Sequence, residues 1–549
     1  MDPAAPQPPG RRERLAVLLL ILAPLCGLKA AYDPGLGRNS LDGDYYYQVA
    51  RHVAEGDGLV TSVSLYHQGF KTLPHPTNIS PLWPVVLGYA GRIVPLPVAA
   101  AVLPEALFLA SLLLLYRLAN RLVERLRGRP EPFVLRGGHV LDLGHVAVML
   151  FGTNAVFFNF TSLPYTEGLG FTLMFAALLA LDRCGSERAL GWAAAAGGLA
   201  ALAYLARLQM MMVAPAVIGV LALSGIRRRE RLAAAGAAAV AAAAVVLPWV
   251  LYLASLVEPF HPRVLIDFGV FRQTPEIEPF VSAYPVGSAW GARLRDVTVG
   301  LRAAFDPRGG VTSYVGSFGL AAFAVPLALL HLVLSRRHWR PLATALIRPQ
   351  AGVVTATAAA AAAMVLPLHF LHLRFLWEWR FGFRHGLAFG LLVLVAVAYL
   401  LAHGERLVRR LALVLVALSL VTGPVRTAEL LTAPRGWGLT PAELELVAWL
   451  DSQSARPVVL TTNAQPLSVY SRAGFHWMEC DESAEKTRTM LRLLPIDYVL
   501  VYQVEHGCRF IRGVPELEAV RTFGAGAGAI WVLAPEPGGG AGTVADEPR

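Results

Sequence analysis

Two carboxylates, Asp42 and Asp44, open the stretch "LDGDYYYQVARHVAEGDGLV" at residues 41–60, and Tyr45, Tyr46 and Tyr47 follow at once. A carboxylate within hydrogen-bond reach of a nucleophile can remove its proton. Two carboxylates two residues apart can also hold a divalent cation. The tyrosines offer stacking surface for a ring-shaped ligand, though Tyr is equally common at membrane interfaces. A plainer reading exists for the acids, because Asp at a helix start caps free N–H groups and suits the helix dipole. One Asp would satisfy that reading; two beside a Tyr triplet leave room for chemistry.

These side chains need an element to position them. "DYYYQVARHVAEG" has helical spacing: Tyr46, Ala50 and Val53 share a face, and Gly56 suits a C-terminal cap. The helix follows "LAVLLLILAPLCGLKAAY", an apolar segment preceded by a basic, Pro-rich start. An uncleaved first membrane span is expected there; the alternative is a cleaved signal peptide. The whole chain supports a membrane setting. It has 549 residues, 55% of them hydrophobic and 16% charged, where soluble proteins carry about 25% charged residues. Apolar runs long enough to cross a bilayer recur. The expected fold class is an α-helical polytopic membrane protein with about eleven spans, near 15–32, 97–118, 140–158, 168–183, 189–206, 208–225, 232–252, 317–335, 351–368, 386–403 and 410–424.

The short Arg-rich connectors fall at alternate ends of these spans, among them "RRER" at 11–14, "RRRER" at 227–231 and "HGERLVRR" at 403–410. The positive-inside rule makes that side cytoplasmic. The N-terminus is then cytoplasmic, and the connectors 33–96, 253–316 and 369–385 face outward. An odd number of spans puts the C-terminal region outside too. The net charge of +10 is carried almost entirely by Arg, with Lys only at 29, 71 and 486. No basic cluster is interleaved with aromatic residues, so nucleic acid is not an expected partner.

Residues 1–435 are expected to form the membrane domain. Residues 436–535 read as a small extracytoplasmic α/β domain. "TPAELELVAWLDSQ" is a helix opened by Thr440 as N-cap with Pro441 in its first turn, and "PVVLTTN" and "IDYVLVYQV" are strand-like. Cys480 and Cys508 lie in this region, and whether they pair is open. The Gly/Pro-rich tail 536–549 is expected to be disordered.

The first loop resembles that of the GT-C membrane glycosyltransferases, the group of the protein mannosyltransferase and aminoarabinose transferase families. The likeness rests on "LDGDYYYQVARHVAEGDGLV" and on "HPTNISPLWPVVLGYAGRIVPL" at 75–96. It implies an acid just after span one, a Tyr-x-x-x-Ala-Arg helix, a Gly-Asp-Gly turn and a Pro-Leu-Trp lead into span two. Aligned on Tyr46, Ala50 and Arg51, the family's catalytic carboxylate falls on Asp42. Many relatives carry a second acid directly after the first; here that place is Gly43, and Asp44 lies one further on. "FTSLPYTEGLGFTLMF" at 160–175 is similar to the turn ending in an acid, Glu167. "LAYLARLQ" at 202–209 is similar to the end of span five, with Arg207 near the lipid phosphate. "RFGFRHGLAF" at 380–389 matches a later segment only at Arg384. Glu167 also suits a helix start, and Arg207 also suits snorkelling.

The resemblance implies an inverting transferase. The donor is a polyprenyl-phosphate sugar, and the acceptor is a glycan, lipid or protein reached from the outer face of a bacterial inner membrane. Asp42 and Asp44 are the catalytic candidates. Arg207, Arg384 and Lys71 are candidates for the donor phosphate. Tyr45, Tyr46, His75, Asn78 and Glu167 are candidates for substrate binding. No cofactor or metal is expected; a divalent cation at Asp42 and Asp44 is the alternative. Rival functions are a transporter or flippase of a lipid-linked sugar and a non-catalytic relative. Acids on an outer loop favour the enzyme, since transporter acids sit mid-membrane.

Overall fold

The computed structural model describes residues 11–32, 41–64, 73–77, 79–127, 133–134, 140–185, 188–225, 229–256, 318–335, 352–371, 386–432, 438–478, 484–503, 511 and 514–535. The chain opens with α1 (Arg11–Ala31) and α2 (Leu41–Glu55). Three short strands follow, β1 (Val60–Thr61), β2 (Val63–Ser64) and β3 (His75–Pro76). Next come α3 (Leu82–Gly91), α4 (Leu96–Arg127) and the pair β4 (Phe133–Val134) and β5 (Val140–Leu141). A helical series continues with α5 (Leu143–Gly152), α6 (Ala155–Phe160), α7 (Glu167–Asp182), α8 (Ala189–Ala206), α9 (Val213–Gly225) and α10 (Arg229–Leu256). It goes on through α11 (Ala324–Leu334), α12 (Gly352–Leu371), α13 (Phe389–His403) and α14 (Arg406–Thr432). The last part alternates: α15 (Pro441–Asp451), β6 (Val458–Thr461), α16 (Ala464–Tyr470), β7 (Gly474–Trp477), α17 (Ala484–Leu493), β8 (Tyr498–Tyr502), β9 (Leu517–Phe523) and β10 (Ile530–Pro535).

Among the described residues, the apolar stretches expected to span a membrane are mostly helical, although 140–158 begins with the short strand β5. Among the described residues, five helical segments are long and apolar enough to cross a bilayer: Arg12–Ala31, Leu96–Leu126, Ala189–Ala206, Leu232–Leu256 and Arg406–Val425. Six more are apolar but shorter. The protein is therefore an integral membrane protein. One expected span, 140–158, is two helices. Asn154 interrupts it, accepting a hydrogen bond from Phe157 N at 2.9 Å as the N-cap of α6.

The chain forms two compact units. The first comprises residues 1–33, 102–248 and 288–434. Its core is apolar and rich in aromatics: Phe151 lies 5.6 Å from Phe157, and Phe157 lies 5.6 Å from Phe171, both ring centroid distances. Lys29 is buried at the end of α1. Its ammonium donates to Phe158 O, Thr161 Oγ1 and Ser162 Oγ at 2.5, 2.9 and 2.5 Å. Three acceptors match its three protons, so the side chain ties α1 to the end of α6.

The second unit comprises residues 34–101, 249–287 and 435–549. Its main sheet has the order β2-β7-β6-β8-β10-β9. β2, β7, β6 and β8 run parallel, while β10 is antiparallel to both β8 and β9. Thr440 caps α15 in a capping box with Glu443, and Pro441 occupies the first turn. β2 comes from the first loop: Val63 pairs with Phe475 and Ser64 with His476. Tyr45 and Val49 of α2 pack in one core with Leu446, Leu450, Val459, Phe475 and Val532. The acid-bearing helix and the C-terminal strands thus share a hydrophobic core. On its other side α2 meets α3 at Gly88. A Cβ there would lie 2.6 Å from Ala50 O and from the Val53 Cβ, so only glycine permits this approach.

Candidate functional site

Helix α2 carries both acids in its first turn. Asp42 is exposed, and Asp44 is fully buried. Tyr45 is buried as well, its hydroxyl 3.2 Å from Thr77 Oγ1. Tyr46 is half-buried. His75 sits opposite Thr61 in the β1–β3 ladder, and its Nδ1–H donates to Pro76 O at 2.7 Å. Tyr252, near the end of α10, donates to Leu59 O and Thr77 O at 3.2 and 3.1 Å. That bond pins the segment beside Tyr45.

The far end of α2 is fastened by two residues one turn apart. Gln48 donates from Nε2 to Thr61 Oγ1 at 2.5 Å and accepts from Ser62 N at 2.9 Å. His52 joins Ser62 Oγ through Nε2 at 2.6 Å and Asp57 through Nδ1 at 2.9 Å. Burial pushes the His52 pKa down; the hydrogen bond to Asp57 opposes this, and Arg51 adds to it. The imidazole therefore favours its neutral form. The turn that lets Asp57 fold back uses Gly56 at φ +101°, a conformation that costs glycine little. Ser62 is buried between β1 and β2, so this Ser–His–Asp row is a fastening rather than a nucleophile presented to solvent.

His52, Glu55 and Asp57 also form the one group of three or more potential metal ligands among the described residues, their ligand atoms within 4.8 Å of one another. Asp42 and Asp44 are not in it. Glu55 is engaged elsewhere too, 3.5 Å from the Arg472 guanidinium.

In the first unit, Glu167 and Arg207 come together. Glu167 begins α7 and is fully buried; Arg207 is 5% exposed. Arg207 Nη1 lies 2.7 Å from Glu167 Oε1 and 3.1 Å from Thr166 Oγ1, and Nε donates to Gln209 Oε1 at 2.8 Å. Arg207 is extended, with φ −152° and ψ 120°, and separates α8 from a 3-10 turn at Leu208–Met212. Thr166 and Gln209 were not expected from the sequence. Their one signal there is adjacency to Glu167 and Arg207. Lys71, Asn78, Arg384, Cys480 and Cys508 lie outside the described residues, as do the arginines of loop 253–316 and the tail.

The solved structures that this chain resembles are membrane glycosyltransferases of the GT-C superfamily, and its fold is theirs. The apo oligosaccharyltransferase of Archaeoglobus fulgidus matches with a TM-score of 0.55 at 14% identity, over 90% of this chain and 70% of that one. AglB from the same organism, in complex with an inhibitory peptide and a dolichol-phosphate, matches with a TM-score of 0.57 at 12% identity, over 95% and 74%. ArnT from Cupriavidus metallidurans, bound to undecaprenyl phosphate, matches with a TM-score of 0.44 at 15% identity, over 94% and 98%. No protein-family model matches this chain, and no curated protein does.

Proposed function

We propose that this protein transfers a sugar from a polyprenyl-phosphate donor to an acceptor on the outer face of a bacterial inner membrane, with inversion at the anomeric carbon. The observation that carries the reading is the GT-C fold with an acid pair in the first turn of α2. At that fold, AglB is in complex with a dolichol-phosphate. Asp42, exposed at the start of the helix, takes the proton of the acceptor hydroxyl. The acceptor oxygen bonds to the anomeric carbon as the bond from that carbon to the phosphate oxygen breaks. The electron pair leaves with the polyprenyl phosphate, whose charge needs cations fixed in a site of low dielectric. Arg207 serves there, with Arg384 and Lys71 as further candidates. Tyr45, Tyr46, His75 and Asn78 shape the acceptor and sugar site. The N-terminus is cytoplasmic, and residues 436–535 are extracytoplasmic. The chemistry requires no cofactor, and a divalent cation near Asp42 and Asp44 would be an addition to it.

The test is a donor assay with purified protein in nanodiscs, using radiolabelled polyprenyl-phosphate sugars of several kinds with envelope extracts as acceptor. Donor consumption with release of lipid phosphate supports transfer. Donor moved between leaflets of proteoliposomes but left intact would establish the transporter instead.

A further inference from the structure

The contacts around Arg207 form a cradle on two elements. The first turn of α7 supplies Glu167 and Thr166, and the 3-10 turn after α8 supplies Gln209. Gly170, one turn along α7, packs beside the arginine: a Cβ there would lie 3.4 Å from the Arg207 Cβ, an ordinary contact. The three partners engage two different nitrogens of the guanidinium, Nη1 and Nε, which fixes both its position and its plane. A planar fork held this way keeps its geometry for an oxyanion, where a mobile one would lose entropy on binding. The same carboxylate makes burial of the cation tolerable, since an unpaired buried charge is costly.

We propose that Glu167, supported by Thr166 and Gln209, is a positioning residue: it holds Arg207 in the orientation in which Arg207 meets the donor phosphate, and does not itself touch substrate. This rests on the assignment of Arg207 to the donor phosphate. It also changes the role that the sequence suggested for Glu167, from substrate contact to support of a substrate contact.

The experiment measures the affinity of the purified full-length chain in nanodiscs for undecaprenyl phosphate, without sugar or acceptor. Arg207→Ala should weaken binding by about 10–100-fold, the range of lost charge-assisted hydrogen bonds. Glu167→Gln should weaken it by roughly 5–30-fold, and Glu167→Asp should recover part of that loss. The double variant should bind no worse than Arg207→Ala alone, because residues acting through one group are not additive. Gln209→Leu removes a neutral partner and should weaken binding by about 3–10-fold, which gives a readout if Glu167→Gln does not fold. Wild-type affinity in both Glu167→Gln and Gln209→Leu, beside a weakened Arg207→Ala, would overturn the positioning role and leave the phosphate assignment intact. A fully additive double variant would overturn it as well, by showing that Glu167 contacts the ligand independently. Wild-type affinity in Arg207→Ala would overturn the phosphate assignment itself.

Discussion

Asp42 and Asp44 stand two residues apart on α2, one exposed and the other fully buried. A helix turns about 100° per residue, so residues i and i+2 point to nearly opposite sides. The two carboxylates therefore meet different surroundings, and their replacement should have different signatures. Asp42→Asn keeps size and capping ability, so thermal stability should be unchanged while turnover falls by roughly 10²–10⁴-fold, the contribution of a general base. Asp44→Asn alters a buried polar group and should lower stability by about 1–3 kcal/mol. Thermal unfolding and donor turnover measured on both variants separate these effects. An active Asp42→Asn beside an inactive but stable Asp44→Asn would move the base to Asp44.

Arg51, further along the same helix, reaches into the C-terminal part of its unit. Nη2 donates to Ser471 O at 2.9 Å and Nη1 approaches Val469 O at 3.4 Å. The receiving turn is itself held by Asp451, which accepts from Ser471 Oγ at 2.7 Å and Arg472 N at 3.0 Å. Arg51→Ala should cost about 1.5–3 kcal/mol, the range for hydrogen bonds from a charged donor. Arg51→Lys keeps the charge but loses the fork, so it should recover only part. Limited proteolysis between α15 and β7 reads the effect. Unchanged cleavage in Arg51→Ala would show that the shared core alone holds α2 there.

What the sequence discloses about this fold is what local signals can carry. The helix after Leu41 was legible because its spacing and Gly56 lie within 15 residues. The start of α15 was legible because Thr440 as N-cap and Pro441 in the first turn are adjacent; the capping box with Glu443 is a feature of the structure. The apolar stretches announce helices by composition. What escaped is long-range. β2 contributes two residues to a sheet whose next strand lies more than 400 positions away, and no local pattern marks it. Glu167 and Arg207 could each be singled out, but not their pairing 40 residues apart, because a carboxylate at a helix start and an arginine at a membrane boundary each have an ordinary explanation.

His476 supplies a pH test of that core. It lies on β7 between β2 and β6, fully buried. Burial, with a smaller contribution from His75, pushes its pKa down from 6.5 to about 3. The folded state thus binds fewer protons at this site than the unfolded state at any pH between these values. By linkage, the site costs no stability above pH 6.5, and the penalty grows as pH falls from 6.5 toward 3. The melting temperature should be flat between pH 7 and 8 and fall below pH 6. In His476→Gln, which cannot titrate, the acid-side slope should be shallower. An equal slope in the variant and the wild type would assign the acid sensitivity to other groups.

The proposed chemistry also requires that the second unit's C-terminal strands lie on the outer side. The Arg-rich connectors at 11–14, 227–231 and 403–410 are the ground for this expectation, since short cytoplasmic loops concentrate Arg and Lys. The first loop and the C-terminal strands share one sheet through β2 and β7, so both must be on the same side of the membrane. A single reporter therefore tests both. Alkaline phosphatase fused after Pro535 should be active, and green fluorescent protein fused at the same place should be dark. A second pair of fusions within the 227–231 connector should give the opposite result. Bright fluorescence after Pro535 would put Asp42 and Asp44 in the cytoplasm, where an outward-facing donor sugar could not reach them, and the proposed transfer would fail with it.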